Sequence, residues 1–552
     1  MKALICALNT KYVHSSLAPW CLKAGAELYS DSECTVYEST VNEDTVRIFR
    51  DIMSHSIDLV AFCVYIWNKE KVLTLCRMIK GRRDVKIVLG GPEVSYNASE
   101  ILNSHPCVDY IITGEGEEPF GRLVAGEDVR TVPALVYREK GRIVENPSGE
   151  PLSEPPCPYT DGYFEALKGR IAYIETSRGC PFSCAFCLSG RCGGVRFFNA
   201  ERAKENIIRL ANSGAKTVKL VDRTFNADRK RARELFSFII DNYGTKIPEG
   251  VCFHFELEGE LIDEPTLEIL TRAPKGAIQV EIGLQTFNTH TLEAISRKAN
   301  LPRLCENIRK IIALGNIHTH IDLIAGLPYE DLVSLENSFN RALELKPHML
   351  QLGFLKLLHG SKLRENLVHV YDFDKNPPYE VISTPYLSKS DLALLHKLED
   401  VFERTYNSLR FPETVKYLHT VFENHFRMYK DFALYVSEQN TFTLDDFTLC
   451  LYNYFASFDI INKEYLRDTL ALDRLSTNRM GALPDFLKVR SPHIKRILNE
   501  LEKNADTRRR AGVKRAATVL LSTNEFIYVD YRDADPVTGR YMINRIKLKG
   551  IL

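Results

Sequence analysis

Three cysteines in one short stretch constrain this chain more than any other feature. Cys180, Cys184 and Cys187 are separated by three residues and by two, and they follow an apolar run that predicts a strand. Gly179 and Pro181, on either side of the first cysteine, favour a loop after that strand. Three thiols so close together on one loop can reach a single inorganic centre.

The spacing leaves three interpretations open. A structural zinc ion takes four ligands, usually from a second pair of Cys or His residues, whereas a four-iron cluster held by three thiolates leaves one iron open to a substrate. Buried core cysteines are the third interpretation. Cys192 is a candidate fourth ligand, but its spacing from the triad fits no pair. We favour the cluster with an open iron.

The stretch from Ile171 to Cys187 resembles the radical S-adenosylmethionine superfamily. It places Cys-x-x-x-Cys-x-x-Cys after a first strand, with the aromatic Phe186 just before the last cysteine. In that superfamily the open iron chelates the amino and carboxylate groups of S-adenosylmethionine, and reductive cleavage releases a 5′-deoxyadenosyl radical. The resemblance implies a 4Fe-4S cluster on Cys180, Cys184 and Cys187, and S-adenosyl-L-methionine contacted by Phe186. Thiolate ligation and burial set the cluster potential.

The first part of the chain, residues 1 to about 125, alternates short apolar runs with amphipathic stretches. The runs are continuous in Val, Ile and Leu, which predicts a five-stranded parallel sheet buried on both faces, a Rossmann-like doubly wound α/β domain. They are residues 3–8, 34–37, 58–65, 85–89 and 109–113. Ligands of such sheets bind outside the carboxyl ends of the strands. Neither Gly-x-Gly-x-x-Gly nor a Walker motif is present, which disfavours a dinucleotide or a nucleoside triphosphate.

Two segments of this domain, Leu89–Glu93 and Tyr110–Phe120, resemble the cobalamin-binding domain of cobalamin-dependent radical enzymes. In that family the nucleotide tail of cobalamin lies in the sheet domain and the corrin faces the radical barrel. The resemblance implies cobalamin contacts from residues that follow the predicted strands: Asn9, Thr10, Tyr12, Tyr65, Trp67, Gly90, Gly91, Pro92, Glu93, Gly114, Glu115 and Gly116.

The lower axial ligand of cobalt is not given by any motif. The Asp-x-His-x-x-Gly signature that supplies a histidine in other cobalamin proteins is absent from the sequence. His14 lies in a candidate loop, and we expect it to be solvated or hydrogen-bonded instead of bound to cobalt.

A hairpin is predicted over residues 134–145, with Gly141 in its turn, and five prolines in residues 146–160 predict a stiff connector. Further apolar runs then alternate with helical patterns, and they number six, the count of the partial (β/α)6 barrel of the superfamily. These runs are residues 171–176, 217–221, 251–256, 277–283, 318–324 and 349–355. We therefore expect a cobalamin-binding domain at 1–145, a Pro-rich linker at 146–165, a radical barrel at 166–385 and a C-terminal domain at 386–552.

Polar residues lie at the ends of the barrel strands, where barrel sites are built. By resemblance, Asp222, Glu256, Glu281 and Gln285 contact S-adenosylmethionine. The Gly-Gly-Glu that the family usually carries after the second strand is replaced here by Asp222-Arg-Thr. Glu258 and Asp322 are equally consistent with ion pairs inside the barrel.

The C-terminal part has helical periods, which predict a mainly helical domain followed by a hairpin over Ala517–Leu521 and Phe526–Tyr531. The predicted helices are Leu387–Arg404, Thr414–Met428, Leu444–Asn453 and Asn462–Leu472. A basic segment, Lys503–Arg515, is consistent with phosphate contacts or with a solvated charged helix end.

Composition limits the cellular setting. Lys plus Arg and Asp plus Glu number 72 each, so net charge does not indicate a nucleic acid partner. The apolar run that opens the sequence is too short for a signal peptide, and no stretch approaches 18 apolar residues. The 14 cysteines are scattered apart from the triad, which favours reduced thiols and a cytoplasmic location.

Together these observations predict a cobalamin-dependent radical enzyme. The leading activity is methyl transfer to an unactivated carbon through methylcobalamin and a 5′-deoxyadenosyl radical, on a small molecule or peptide in preference to RNA. An electron donor such as flavodoxin or ferredoxin is implied, and no membrane. Alternatives are a cobalamin-dependent radical rearrangement or other non-methylating modification, methylthio transfer to tRNA, and a non-catalytic cobalamin or RNA sensor.

Overall fold

The computed structural model of the protein describes residues 1–477, 483–489, 497 and 517–548. The chain forms two compact units. The first contains residues 1–280, 292–299 and 354–385, and the second contains residues 281–291, 300–353 and 386–552. Among the described residues, no helix is both long and apolar enough to cross a membrane. The basic segment Lys503–Arg515 lies outside the described residues.

The strands are β1 Lys2–Asn9, β2 Glu33–Thr40, β3 Leu59–Cys63, β4 Lys86–Gly90, β5 Tyr110–Ile112, β6 Leu135–Glu139, β7 Arg142–Glu145, β8 Ala172–Ile174, β9 Ser177–Cys180, β10 Gly194–Phe197, β11 Thr217–Leu220, β12 Cys252–Leu257, β13 Ile278–Gln285, β14 His318–Ala325, β15 Met349–Phe354, β16 Asp372–Phe373, β17 Val381–Ser383, β18 Ala517–Leu520, β19 Glu525–Ala534 and β20 Tyr541–Lys547.

The α-helices are α1 Ala18–Tyr29, α2 Thr45–Ser54, α3 Lys69–Lys80, α4 Ala98–Ser104, α5 Glu117–Val124, α6 Asp161–Leu167, α7 Ala200–Ala211, α8 Arg229–Asn242, α9 Glu264–Thr271, α10 Thr289–Ala294, α11 Leu301–Leu314, α12 Leu332–Glu344, α13 Lys362–Leu367, α14 Lys389–Phe402, α15 Pro412–Val421, α16 His425–Val436, α17 Leu444–Phe455 and α18 Lys463–Thr477.

The N-terminal sheet has the strand order β2-β1-β3-β4-β5-β6-β7. Strands β1 to β5 pair in parallel, which confirms the predicted five-stranded parallel sheet. The predicted hairpin is β6–β7, and its two turn residues, Lys140 and Gly141, have left-handed φ angles of 48° and 79°. Strand β6 pairs antiparallel with β5, so the hairpin extends this sheet. The sequence pattern did not predict that extension.

Both faces of the N-terminal sheet are buried. On β1, Leu4 and Cys6 belong to one hydrophobic cluster, whereas Ile5 and Ala7 belong to another. Successive side chains of a strand point to opposite faces, so each face packs against its own layer. This burial explains why the strands are continuous apolar runs without polar alternation.

The barrel sheet has the strand order β15-β14-β13-β12-β11-β8, which confirms the predicted six strands. Its strands alternate between buried and partly exposed positions. On β13, Ile278, Val280 and Ile282 are fully buried, whereas Gln279 and Glu281 are partly exposed. Gln279 and Glu281 therefore share the face of β13 opposite its apolar side chains.

The C-terminal part of the second unit is mainly helical, as predicted, with a three-stranded sheet in the order β18-β19-β20. The prediction of one helix over Thr414–Met428 is wrong, because α15 ends at Val421 and α16 begins at His425. Asn424 caps α16 by accepting from the Arg427 N–H at 3.0 Å. The predicted hairpin corresponds to β18 and β19, and β20 completes a sheet that the sequence reading missed.

Candidate functional site

The cysteine loop is closed at its base by a short hairpin. Strand β9, which ends at Cys180, pairs antiparallel with β10, and Cys180 lies opposite Gly194. Gly179 and Gly194 have φ angles of 101° and 124°, which residues with side chains rarely adopt. The two ends of the loop therefore meet at this hairpin, with Cys180 at the end of β9 and Cys184 and Cys187 on the loop that follows.

Backbone hydrogen bonds fasten the middle of this loop. The Ala185 N–H donates to Ile295 O at 2.8 Å, and Ala185 O accepts from the Leu363 N–H at 2.9 Å. The Cys187 N–H donates to Cys184 O at 3.0 Å, which forms a tight turn between these two cysteines. The loop is thus positioned by its backbone, and the thiols do not have to hold it.

The thiols themselves are free, and each is at least partly shielded from water. Cys184 is buried, whereas Cys180 and Cys187 are half-buried. Cys180 Sγ lies 3.3 Å from Thr224 Oγ1, and Arg297 Nη1 donates to Cys184 Sγ at 3.8 Å. Burial raises the pKa of the Cys184 thiol, and Arg297 opposes that rise by stabilising the thiolate. The side chain of Cys192 is outside the described residues.

This donor set fits an iron–sulfur cluster. Three free thiols on one anchored loop supply the soft ligands that such clusters require. A guanidinium beside Cys184 counters the negative charge that thiolate ligation brings.

Both carboxylate oxygens of Asp222, which follows β11, accept hydrogen bonds from the segment that leads into the cysteine loop. Its Oδ2 accepts from the Thr176 N–H at 3.0 Å, and its Oδ1 accepts from Thr176 Oγ1 at 2.8 Å and from the Ser177 hydroxyl. Burial raises the pKa of Asp222 to about 6, although these hydrogen bonds oppose the rise. The carboxylate therefore supports the start of β9.

The two carboxylates at the end of β12 differ. Glu256 is partly exposed and lies near two cations, with its Oε1 3.9 Å from Lys219 Nζ and its Oε2 3.7 Å from Arg223 Nη1. Glu258 is buried, and its Oε2 pairs with Arg297 Nη2 at 2.9 Å. Burial raises the pKa of Glu258, and Arg297 opposes that rise. The ion-pair interpretation of Glu258 is therefore confirmed.

In the second unit, Glu281 lies beside two residues of β14. His320 Nε2 is 3.0 Å from Asp322 Oδ1, and His320 Nδ1 is 3.8 Å from Glu281 Oε2. One ligand atom from each of the three residues falls within 4.8 Å of the others. The sequence reading singled out Glu281 and Asp322 but missed His320, two positions before Asp322 on the same face of the strand.

Gln285 ends β13 in a strained conformation. Its φ angle is 73°, in the left-handed region that non-glycine residues avoid. Its side chain lies over Gly283, because a Cβ atom there would come within 2.3 Å of Gln285 Nε2. Among the described residues, Gln285 Oε1 is buried without a hydrogen-bond partner. An acceptor in this state is suited to a donor on a bound molecule. Phe186, also expected at the S-adenosylmethionine site, is partly buried on the cysteine loop.

The residues expected to contact cobalamin lie at one edge of the N-terminal sheet, since β1, β3, β4 and β5 are parallel neighbours. Tyr65 and Trp67 stack there with ring centroids 4.6 Å apart and planes 4° from parallel. Trp67 Nε1 donates to Leu8 O at 2.9 Å. The Trp67 residue is nevertheless 45% exposed. This pair forms a flat apolar surface at the edge. Tyr12 is 72% exposed, and Thr10 follows β1 in a half-buried position.

Glycine lets the chain pass closely at this edge. Gly91 has a φ of 116°, and a Cβ atom on it would lie 2.5 Å from Val64 O. Gly114 has a φ of 73° with nothing near its Cβ position, whereas a Cβ atom on Gly116 would meet the Leu22 side chain at 2.7 Å. Gly90 is half-buried at the end of β4, and Pro92, two residues later, is exposed.

Three polar residues of the same edge are bound within the protein. Glu93 pairs with Lys69 at 3.0 Å and accepts from the Tyr379 hydroxyl. Asn9 donates to Glu38 Oε2 at 3.0 Å. Glu115 pairs with Arg178 at 2.8 Å and with Arg196.

Arg178 is a residue that sequence reasoning missed. It lies two positions before Cys180 and also pairs with Glu117 at 2.8 Å and with Glu175 at 2.7 Å. Arg178 lowers the pKa of Glu117, although burial opposes that effect. The signal was its place in the Ser-Arg-Gly-Cys run that opens the triad.

His14 is hydrogen-bonded, as expected. Its Nδ1 lies 2.8 Å from the Tyr173 hydroxyl, and its backbone forms a bridge with Ile171 at the start of the barrel. Burial, together with Lys11, lowers the pKa of His14.

Three regions of the chain match family models. Residues 4–124 match the B12 binding domain, and residues 174–342 match the radical SAM superfamily. Residues 368–521 match a family described as a protein of unknown function, DUF4080. Separate regions of the chain thus match a B12 binding domain and the radical SAM superfamily. This pair of matches implies a 4Fe-4S cluster, S-adenosylmethionine and cobalamin as cofactors.

Individual relatives agree with this assignment. The chain is 30% identical over 325 residues to 2-(S-pantetheinyl)-carbapenam-3-carboxylate methyltransferase of Streptantibioticus cattleyicolor, covering 53% of this chain and 45% of that protein. It is 25% identical over 363 residues to the anaerobic magnesium-protoporphyrin IX monomethyl ester cyclase of Rubrivivax gelatinosus, covering 61% and 63%. The structure of the cobalamin-dependent S-adenosylmethionine radical enzyme OxsB shares the fold, with a TM-score of 0.63, 14% identity and coverage of 86% and 78%. The chain spans less than half of the length of the carbapenam methyltransferase.

Proposed function

We propose that this protein is a cobalamin-dependent radical S-adenosylmethionine methyltransferase that acts on an unactivated carbon of a small molecule. The observation that carries the proposal is the anchored loop of three free thiols in the same compact unit as a B12 binding domain. Neither feature alone indicates methyl transfer. The three-thiol loop accounts for the radical, and the B12 binding domain accounts for the methyl carrier.

The residues of the cysteine loop hold and shield the cluster. Cys180, Cys184 and Cys187 would be its ligands, and the burial of Cys184 and half-burial of the other two limit the access of water to the centre. When bound, the cluster with S-adenosylmethionine supplies a 5′-deoxyadenosyl radical, and cobalamin supplies a methyl group. The protein contributes orientation: Asp222 fixes the start of β9, and the backbone bonds of Ala185 fix the middle of the loop.

The residues expected at the S-adenosylmethionine site fall into two groups, those suited to bind the ligand directly and one that supports the site. Glu256 and Glu281 are partly exposed on the polar face of their strands and are suited to bind the ligand directly. Gln285 offers a buried acceptor oxygen. Phe186 lies on the cysteine loop directly before Cys187. For Asp222 we propose an indirect role, because both of its oxygens accept bonds from Thr176 and Ser177.

The cobalamin contacts divide in the same way. Gly114, with open space at its Cβ position, lets the cofactor approach the backbone, whereas Gly91 and Gly116 make room for Val64 and Leu22. The stacked Tyr65–Trp67 pair offers the cofactor an apolar surface. Thr10, Tyr12 and Pro92 lie at the same edge. We propose that Asn9, Glu93 and Glu115 support the loops of this edge through their internal hydrogen bonds and ion pairs.

A second candidate is a radical modification in which cobalamin delivers no methyl group. The likeness to a magnesium-protoporphyrin cyclase favours it, since that relative's name describes ring closure and not methylation. Both candidates require the same cluster and differ in the fate of the methyl group of S-adenosylmethionine.

The reaction needs a reducing setting in both cases. We propose a cytoplasmic location and an electron donor of the flavodoxin or ferredoxin class. The cysteines within the described residues are free thiols, in keeping with such a setting.

Product analysis tests the proposal. The full-length chain would be reconstituted anaerobically with iron, sulfide and cobalamin, and incubated with S-adenosylmethionine and reductant. We expect both 5′-deoxyadenosine and S-adenosylhomocysteine from the native protein, and no 5′-deoxyadenosine from Cys184→Ala. Cys157→Ala, at an exposed cysteine, is the matched control and should behave as the native protein.

Other outcomes identify the alternative. 5′-Deoxyadenosine without S-adenosylhomocysteine, with cobalamin bound, would favour the non-methylating candidate. Absence of both products from a protein that has taken up iron and cobalamin would contradict both.

A further inference from the structure

Arg297 connects a buried carboxylate to a thiol of the cysteine triad. Its Nη1 donates to Cys184 Sγ at 3.8 Å, and its Nη2 pairs with Glu258 Oε2 at 2.9 Å. The side chains of Arg297 and Glu258 are only 10% and 9% exposed. Water therefore screens this arrangement weakly, and the charge of each group acts strongly on its neighbours.

The backbone around Arg297 is built to aim it at the loop. Ser296, the preceding residue, has a left-handed φ of 56°, a conformation that costs free energy in a non-glycine residue. Ile295 O accepts the Ala185 N–H at 2.8 Å, which ties this turn to the residue after Cys184. The strained turn thus holds Arg297 beside the cysteine loop.

Glu258 is fixed just as firmly. Asn226 Nδ2 donates to Glu258 O, and Asn226 Oδ1 accepts from the Glu258 N–H, both at 2.9 Å. A carboxylate on an anchored backbone can hold the guanidinium in one orientation.

We propose that Arg297, oriented by Glu258, sets the reduction potential of the cluster through its hydrogen bond to Cys184. Reduction transfers one electron from the flavodoxin- or ferredoxin-class donor to the cluster, and no covalent bond forms or breaks. An N–H donor and a positive charge beside a ligand sulfur stabilise the more negative, reduced cluster. Glu258 offsets part of that charge. The inference rests on the cluster of the proposed function and is independent of methyl transfer.

A redox titration followed by EPR tests the inference on the full-length, reconstituted chain without S-adenosylmethionine. In Arg297→Gln we expect the midpoint potential to fall, so that the reduced-to-oxidised ratio at a fixed potential drops about tenfold, which is about 59 mV for a one-electron couple. Arg297→Lys, which keeps the charge, should fall less. Glu258→Gln removes the opposing charge and should raise the midpoint.

The control is Arg272→Gln, at an exposed arginine that pairs with Asp241 at 2.9 Å, and its midpoint should match that of the native protein. An unchanged midpoint in Arg297→Gln with full iron content would overturn the inference. If Arg297→Gln does not hold iron, Glu258→Gln decides, because an unchanged or lowered midpoint there also overturns it. A native protein that takes up no cluster would instead reject the proposed function.

Discussion

The cysteine loop and the cobalamin edge of the N-terminal sheet treat their polar side chains in opposite ways. On the loop, backbone hydrogen bonds do the positioning, and the three thiols stay free. At the edge, the carboxylates of Glu93 and Glu115 are paired with Lys69 and Arg178. The difference teaches that polar residues of a motif are either ligands or supports, and that a support is recognised by side-chain bonds that hold a neighbouring segment in place. Loss of a ligand should abolish cofactor binding, whereas loss of a support should lower stability.

The largest effect should follow the removal of a ligand. In Cys187→Ala we expect iron bound after anaerobic reconstitution to fall to background, because two thiolates cannot hold the cluster. The free energy of unfolding of the apo chain should change by less than about 1 kcal/mol, since Cys187 is half-buried and the backbone holds the loop. Iron analysis and urea unfolding give the two values. Full iron content in Cys187→Ala would remove the distinction between ligand and support at the loop.

The largest stability effect should come from the support that joins the two regions. Arg178→Met leaves Glu115, Glu117 and Glu175 without their shared cation, and should lower the free energy of unfolding by about 3–5 kcal/mol. Arg130→Met is the control, because Arg130 is exposed in its pair with Glu139 and its removal should leave the free energy of unfolding nearly unchanged. Urea unfolding of the apo proteins measures both. Equal losses would show that Arg178 is not a support.

A pH titration sharpens the comparison at Asp222. Because burial raises its pKa from 3.8 to about 6 in the folded chain, the folded state holds the proton more tightly than the unfolded state. Its contribution to stability is full below about pH 4 and is lost as pH rises through 6, a change of about 3 kcal/mol at about 1.4 kcal/mol per pH unit. Asp222→Asn should remove that part of the slope. Identical slopes for the two proteins between pH 4 and 7 would contradict the raised pKa of the buried Asp222 carboxyl.

The smallest effect is expected where only backbone geometry is changed. Gly91→Ala forces a side chain into a φ of 116° and against Val64 O, and should cost about 2–3 kcal/mol of unfolding free energy. Gly126→Ala has a φ of 82° but open space around its Cβ position, and should cost about 1 kcal/mol. Thermal or urea unfolding compares them. Equal costs would mean that the close approach at Gly91 does not constrain the edge.

The sequence predicted the elements whose signal is local. Apolar runs identified the N-terminal parallel sheet, whose strands are buried on both faces, and the six barrel strands, whose core-facing positions are apolar. The single helix expected over Thr414–Met428 failed, since helical periodicity continues across the break and only the cap at Asn424 marks it. Strand β20 was missed because its exposed residues alternate weakly.

The sequence predicted those site residues that belong to a local sequence motif. The thiols were found because their spacing is itself the signal. The partners of Glu93, Glu115 and Glu258 were not found, because Tyr379, Arg178 and Arg297 lie far from them in sequence and meet them only in the fold. An isolated acidic residue at a strand end looks the same whether it binds a cofactor or an arginine.

The most direct test of the account is the EPR spectrum of the reduced, reconstituted chain with and without S-adenosylmethionine, using ligand labelled with ¹⁵N at the amino group and ENDOR detection. The account predicts a 4Fe-4S signal whose shape changes when the ligand is added, with a ¹⁵N coupling that places the amino group on the open iron. A 4Fe-4S signal that S-adenosylmethionine leaves unchanged would contradict the claim that three thiols hold a cluster with one iron free.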